Sequence, residues 1–338
     1  MASSTAAAMT EVDTASAGAL HEDGTTMLVP FTYNNPFWDG LQAEQRCYDV
    51  AGVELSLRQD WKPDGRGGSN LGFGASVYDA AFVLSHFLAV LAPGVLPGRS
   101  VLDIGTGLGL SSLACALSGA SVVVATDGDA QLLRECTLPN LKRNMREVAQ
   151  LAGWCAVAGA SLPASLLEPP SSPQPSAHGG DAQCACASDT SCISSQHAVA
   201  SDAPSSSSTA EPPPCSKHVH VAPLMWGNAE HEAAVVQCLE GSAPDVIVAA
   251  DIVAAPYEES LPLLAESLTR LMGPQTTAYI AHKPRHICEE RWFRRLGKAF
   301  HVQVLPREAS IHKDFQRDSP IRILKIALKQ VETTTAAT

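Results

Sequence analysis

The run Val101-Leu102-Asp103-Ile104-Gly105-Thr106-Gly107-Leu108-Gly109 narrows the fold of this chain more than any other stretch. It opens on a short apolar strand, Ser100 to Ile104, and closes on glycines at every second residue. Leu110 to Ser118 then reads as a helix, with Gly119 at its C-terminal cap. A strand, a glycine turn and a helix start in this order bring backbone N–H groups close to a ligand, because glycine adopts positive φ and puts no side chain in the way. The dinucleotide fingerprint G-x-G-x-x-G would place its third glycine where this chain has Leu110. The glycines fall instead at 105, 107 and 109, and an acid, Asp103, stands shortly before the first of them.

The stretches around this turn alternate between strand and helix signals. Tyr48 to Leu57 alternates as a hairpin or short strand pair, Asp64 to Gly68 reads as a loop, and Ser76-Val77-Tyr78-Asp79 has the hydroxyl and acid of a capping box. Ala80 to Leu91 is apolar nearly all round, which predicts a buried helix. After the glycine turn, Val122 to Thr126 reads as a strand ended by Asp127, and Asp129 to Met145 as a helix that Pro139 should kink or interrupt. Val246 to Ala250 is a buried strand ended by Asp251, followed by a helix from Glu258 to Met272 closed by Gly273. A strand at Thr276 to Ala281, a helix at Glu289 to Lys298, and strands at Val302 to Leu305 and Ile321 to Leu328 complete the series. Such alternation predicts an α/β fold whose mostly parallel sheet is covered by helices on both faces. The last two strands, with no helix between them, predict an antiparallel edge pair.

Length and composition fit one interrupted domain. The chain has 338 residues and 45% apolar content, enough for a substantial core. Over 161–217 the pattern stops and Pro, Ser, Ala and Cys dominate; this composition cannot offset its ordering entropy and reads as a disordered insertion. Residues 1–27 contain Glu11, Asp13, Glu22 and Asp23 but no Arg or Lys, so they read as a disordered tail rather than a transit peptide. Residues 331–338 form a second tail. A hairpin and buried helix then occupy 28–98, and the main domain occupies 99–160 and 218–330. A net charge of −12 weighs against nucleic acid as a partner and suits a basic protein substrate. No apolar run reaches bilayer length, so no membrane partner is expected. Ten cysteines without a paired pattern point to a reducing setting, cytoplasmic or nuclear. Without repeats or heptads, the expected state is a monomer.

A second acid falls in the right place. Asp127 ends the strand after the glycine turn, where a carboxylate can accept two hydrogen bonds from a ribose diol. An acid-led turn of the form D-x-G-x-G-x-G, with that carboxylate one strand over, is the methyltransferase version of a nucleoside site. Asp103 can take the ammonium group of a methionine, and no pyrophosphate needs a cradle. The expected cofactor is S-adenosyl-L-methionine, held by Asp103, Gly105, Thr106, Gly107, Gly109, Asp127 and Gly128.

Four blocks together resemble methyltransferase family 16, seven-β-strand protein methyltransferases many of which act on protein lysines. Ser76 to Leu84 resembles its V-W-D-A-A-x-V-L block, and the glycine turn is the second block. Leu224-Met225-Trp226-Gly227 resembles its L-x-W-G, and Val246 to Asp251 with Tyr257-Glu258-Glu259-Ser260 resembles the block after the fourth strand. The resemblance spans Tyr48 to Lys329 outside the insertion. It implies a Rossmann-like, seven-stranded class I methyltransferase sheet, with Tyr78, Trp226 and Ala250 beside the cofactor and Asp251 and Tyr257 as catalytic residues. Asp251 would hold the acceptor amine or help remove its proton through water, and Tyr257 would line the channel. The implied activity is methylation of a lysine side chain in a protein substrate. Methylation of a small molecule or another side chain, and a cofactor-binding scaffold without turnover, are the alternatives. Two positions depart from the family: Tyr78 replaces its tryptophan, and D-x-x-Y reads Asp251-Ile252-Val253-Ala254. Tyr257 follows soon after and can substitute for the missing aromatic.

Three other features carry weaker signals. Cys184, Cys186, Cys192 and Cys215, with His218 and His220, lack C-x2-C spacing and lie in or beside low complexity, so no metal is expected. Asn34-Asn35-Pro36-Phe37 loosely resembles the signature of base amino-methyltransferases, but lacks its second proline and precedes the glycine turn. Lys283, Arg285, Arg291, Arg294 and Arg295 read as a solvated basic face, or as a contact for an acidic substrate segment.

Overall fold

The computed structural model describes residues 43–60, 71–152 and 218–329. The two tails, the insertion, the Asp64 to Gly68 loop and Asn34 to Phe37 lie outside these residues. The first elements are β1 (Gln45–Val50) and β2 (Val53–Arg58), paired antiparallel as a separate two-stranded sheet. Ala51 and Gly52 turn the hairpin with φ of 55° and 81°, the left-handed geometry that matches strand twist in a two-residue loop.

The main sheet contains β3 (Ser100–Ile104), β4 (Val122–Asp127), β5 (His218–Pro223), β6 (Val246–Ala250), β7 (Thr277–His282), β8 (Phe300–Val304) and β9 (Arg322–Leu328). Their order is β5-β4-β3-β6-β7-β9-β8. The first five are parallel, β9 is antiparallel to β7, and β8 is antiparallel to β9. From β3 the chain steps outward to β4 and β5, then returns to the other side of β3 as β6. At such a reversal the loops after neighbouring strands part, and the crevice lies at the strands' carboxyl ends.

The helices are α1 (Asp79–His86), α2 (Leu110–Leu117), α3 (Ala130–Leu132), α4 (Leu138–Ala152), α5 (Ala229–Cys238), α6 (Leu261–Leu271), α7 (Ile287–Leu296) and α8 (Arg307–Ser310). α1 and α2 pack together, and α2 packs on α4. Leu102 and Ile104 of β3 join Ile247, Ala249, Val235, Leu264, Leu268 and Trp292 in one buried cluster under α5, α6 and α7. Strand alternation then turns Val101 and Asp103 toward α2, so the sheet is buried on both faces. Among the described residues, no helix is long and apolar enough to cross a membrane.

Several local expectations need correction. Ser76 does not cap α1: the N-cap is Tyr78, its side chain makes no cap bond, and Ser76 is extended and buried. The acid of that block is the first helical residue, where its charge meets the positive end of the helix. A true capping box forms instead at α7, between His286 and Glu289, and starts that helix at Ile287. Pro139 does not break its helix. A π turn over Leu133–Thr137 precedes α4, which places the proline in the first turn, where a missing N–H costs nothing. The residues before α6 form a 3-10 turn, Ala255–Ser260, and Met272 rather than a left-handed glycine ends the helix. α5, which no expected element covers, is capped by the Asn228 side chain through the N–H groups of Glu230 and His231. The expected antiparallel edge pair is present, with β8 outermost and β9 between it and β7.

Two asparagines dock the hairpin on the main domain. The Asn144 side chain accepts from Ser56 N at 2.8 Å and donates to Ser56 O at 2.9 Å. Asn140 does the same with Arg58, at 2.8 and 2.9 Å. Residues four apart on a helix and two apart on a strand both repeat on one side, so the helix satisfies the strand's open edge. Asn140→Ala removes one such pair of bonds. It is expected to lower stability by about 1–3 kcal/mol in urea unfolding; an unchanged midpoint would show that water replaces the side chain at no cost.

Candidate functional site

The glycine turn closes the carboxyl end of β3. Gly105, Gly107 and Gly109 have φ of 68°, 54° and 93°, so all three use the left-handed region. Their surroundings leave little room. A Cβ on Gly105 would fall 2.6 Å from Cγ2 of Ile252, and one on Gly107 would fall 2.9 Å from the carbonyl oxygen of Gly74. The loop after β6 and the 3-10 turn Phe73–Ala75 thus both close on the glycine turn. Thr106 N donates to Thr126 O at 2.8 Å, and Thr137, delivered by the π turn, donates to Gly107 O.

Gly107→Ala carries a left-handed penalty of about 1–2 kcal/mol and, in addition, a backbone clash. Gly52→Ala, also left-handed but with nothing within 4 Å, carries the penalty alone. In urea unfolding Gly107→Ala is expected to lose clearly more stability than Gly52→Ala; equal losses would mean that the Gly74 turn simply moves aside.

Asp103 is fully buried beneath the turn. Its Oδ2 accepts from the hydroxyls of Thr106, Ser111 and Ser112 at 2.7, 2.6 and 2.7 Å, tying β3 to the start of α2. Its Oδ1 is buried and has no hydrogen-bond partner, the kind of acceptor that calls for a donor. Burial pushes the carboxyl above the usual carboxylate range, and the three hydroxyls pull against that.

Asp127 ends β4 beside the turn. Its Oδ2 accepts from Gly107 N at 3.2 Å and its Oδ1 from Asp129 N at 3.3 Å. Burial raises its pKa, opposed by the N–H groups of Asp129, Gly107 and Gly128. A carboxylate has about four acceptor positions, so capacity remains for a diol. Gly128 is exposed, and a Cβ there would lie 3.9 Å from the Met225 sulfur.

Trp226 follows β5 on a turn fixed from beneath. Gly227 N donates to the Ser267 hydroxyl at 2.8 Å, which donates to Glu232 at 2.7 Å, and Arg270 grips Glu232 through Nε and Nη2. Arg270 holds the Glu232 carboxyl below the usual carboxylate range. Trp226 meets Tyr257 edge to face with ring centres 5.9 Å apart, and Tyr257 meets Phe73 likewise at 6.3 Å. Phe73 is 51% exposed, an aromatic at the rim that sequence reasoning missed because it belongs to no periodic element. Burial pushes the Tyr78 phenol up to about 12, and the nearby Tyr257 and Asp251 add to this. Burial also raises Tyr257, with a contribution from the charge of Asp127.

Ala250 ends β6, and Asp251 follows with φ 55°, a conformation that aspartate tolerates better than most residues. Asp251 N donates to Ala281 O at 2.9 Å. Its carboxylate meets Arg285 through two bonds and is 10% exposed. The basic patch therefore divides. Lys283 pairs with Asp79 and Arg285 with Asp251, while Arg291, Arg294 and Arg295 form the exposed face of α7. Beneath them Glu289 accepts from Ala255 N at 3.3 Å, Arg285 N at 2.8 Å and His286 N at 3.2 Å, which joins the loops after β6 and β7.

The predicted site residues thus meet at one carboxyl edge. Tyr78, the glycine turn, Asp127, Trp226, Asp251 and Tyr257 come from separate segments and share neighbours there. Asp103 and Thr106 are buried below them as supports. His218 and His220 lie on β5 with ring centres 5.9 Å apart, and Cys184, Cys186, Cys192 and Cys215 lie outside the described residues. A cleft lined by Ser100, Ser121, Leu239 and Asp245 opens at the opposite, amino edge of the sheet, away from these groups.

Two family models match the chain. One described as lysine methyltransferase matches residues 207–299, and one described as ribosomal protein L11 methyltransferase matches 85–156. The protein N-lysine methyltransferase METTL21A of Danio rerio is 26% identical over 292 residues, covering 86% of this chain and 92% of that protein. The EEF1A lysine methyltransferase 3 of Mus musculus is 24% identical over 277 residues, covering 81% and 82%. Among solved structures, the magnesium protoporphyrin IX methyltransferase of Synechocystis with bound SAM has a TM-score of 0.38 and 15% identity, covering 74% of this chain and 79% of that one.

Proposed function

We propose that the chain is a member of the lysine methyltransferase family whose model it matches, and that it transfers a methyl group from S-adenosylmethionine to a lysine side chain of a protein substrate. Its sheet has the seven-stranded, mostly parallel order of a class I methyltransferase. The observation that carries the reading is the left-handed glycine turn with Asp127 bonded to it, set beside the ion-paired Asp251. The matched segments divide in the same way. Residues 85–156 contain the glycine turn and Asp127, and residues 207–299 contain Trp226, Ala250, Asp251 and Tyr257.

The residues suit the cofactor. Asp127 has acceptor capacity for a ribose diol, Gly128 leaves space beside Leu224 and Met225 for an adenine, and Asp103 Oδ1 is a buried acceptor without a donor. Bound there, S-adenosylmethionine would supply a methyl group activated by a sulfonium. The protein's part is positioning and exclusion of water. Tyr257, Phe73 and Trp226 provide an aromatic wall, the Tyr78 phenol feels Tyr257, and Tyr257 takes the place left by Ala254. A free lysine has a pKa of about 10.4, and such a wall disfavours its ammonium form. Asp251 accepts an N–H of the amine and orients its lone pair.

We assign the reaction to the cytoplasm or nucleus, with the chain acting as a monomer on a protein and not on nucleic acid. The free thiols of Cys115, Cys136 and Cys288 are compatible with a reducing compartment. Incubating the full chain with cell extract and methyl-labelled S-adenosylmethionine tests the activity. Label in a protein band, recovered as methyl-lysine after hydrolysis, is expected. Label only in small solutes would favour a small-molecule substrate, and no label despite cofactor binding would favour a scaffold.

A further inference from the structure

β6 and β7 are parallel neighbours, so Asp251 and the segment Lys283 to His286 leave the sheet side by side. Two cations emerge there, and each is committed. Lys283 sends its ammonium to Asp79 of α1, 3.2 Å away. Arg285 takes Asp251 in a two-pronged pair, Nη1 to Oδ1 at 3.2 Å and Nη2 to Oδ2 at 2.8 Å. The pair is held from both sides. Lys283 N donates to Asp251 Oδ1 at 3.0 Å, Arg285 Nη1 also donates to Lys283 O at 3.0 Å, and Arg285 N donates to Glu289.

The groups that face it are few. The Tyr78 phenol, just before α1, lies within the fields of Asp251, Arg285 and Tyr257. His282, at the end of β7, feels Asp251, Arg285 and Arg322 of β9; burial lowers it to about 4, so it is neutral. Glu289 of α7 also acts on Arg285, and its carboxylate is occupied by backbone N–H groups, that of Arg285 among them.

We propose that Arg285 is a positioning residue that neutralises Asp251, so that the site takes up the acceptor lysine as the uncharged amine rather than as the ammonium ion. The inference rests on the lysine methyltransferase reading above. A lone carboxylate beside an aromatic wall would bind an ammonium and hold its proton, and an ammonium has no lone pair with which to attack a methyl group. Paired with Arg285, the carboxylate keeps its acceptor atoms and loses its net charge. Oδ1 accepts two bonds and Oδ2 one, so Oδ2 has a lone pair left for one N–H of the amine. The ammonium's extra proton passes to water before transfer.

The test is the pH profile of Arg285→Gln and Arg285→Lys in the full chain, with extract protein as acceptor and labelled S-adenosylmethionine as donor. Both variants are first checked for S-adenosylhomocysteine binding, which neither should alter. An unpaired Asp251 raises the pKa of a bound lysine, so less of it is neutral at a given pH. The rising acid limb of Arg285→Gln is expected to move up by at least about one pH unit, with about a tenfold loss near neutral pH that recovers in alkali. Arg285→Lys restores the cation and should return the limb toward its wild-type position. A loss by one constant factor at every pH would overturn the proposal in favour of a structural role. A gain in activity would overturn it in favour of Arg285 as an obstacle to the substrate. A wild-type chain that labels no protein would remove the parent reading itself, which distinguishes that failure from these two.

Discussion

Asp127→Ala is expected to weaken S-adenosylmethionine binding by at least about a hundredfold in calorimetric titration, with the fold intact. A carboxylate that accepts both hydroxyls of a ribose makes two charge-assisted bonds, each contributing about 1.5–3 kcal/mol. At about 1.4 kcal/mol per tenfold, their joint loss corresponds to a factor of a hundred or more. The side chain also receives Gly107 N at 3.2 Å, so alanine loosens the turn that it braces. Asp127→Asn separates the two effects: its one carbonyl oxygen can still receive Gly107 N but offers less to the diol. Its affinity should lie between wild type and Asp127→Ala. Affinity within about threefold of wild type for Asp127→Ala would take Asp127 out of the site, since a difference that small is under about 0.7 kcal/mol.

Asp251→Asn is expected to lower kcat/KM for methyl transfer by about a hundredfold or more while leaving cofactor affinity within about threefold. Asparagine is the informative replacement because residue 251 has φ 55°, a left-handed conformation that asparagine adopts at lower cost than alanine. Its carbonyl can also keep the bond from Lys283 N. What it removes is the charge that engages Arg285 and one of the oxygens available to the amine. Wild-type turnover in this variant would remove Asp251 from the mechanism, and weakened cofactor binding would show that the loop after β6 had shifted where Ile252 packs on Gly105.

Most of what local pattern encodes is legible in the sequence. β3 runs from Ser100 to Ile104 as read, and the three glycines all adopt the positive φ that their spacing implied. β4 and β6 lie where β-branched runs end in aspartate. The errors cluster where competing local signals meet. Ser76-x-x-Asp79 has the letters of a capping box, but the helix starts at the acid, and the reciprocal bonds form at His286 and Glu289 instead. Pro139 argued for a kink, and the π turn before it absorbed the conflict.

The parts of the site that escaped notice depend on long-range pairing. Lys283 and Arg285 look like surface charge in the sequence because their partners, Asp79 and Asp251, come from other segments. Adjacent parallel strands do carry a usable signal: an acid that ends one strand will meet a base that ends its neighbour. Reading it requires the strand order, which periodicity alone does not supply. Phe73 and Gly74 were invisible for the same reason, since only the folded chain lays that turn on Gly107.

The central claim is that one adenosyl group occupies the carboxyl edge of β3 and β4. Isothermal titration of the 338-residue chain with S-adenosylhomocysteine tests it most directly, with Asp127→Ala as the paired control. One saturable site, a raised melting temperature in the wild type, and the loss of both in the variant are predicted. Neither heat nor a change in melting with the wild-type chain, or equal binding by both proteins, would contradict the account.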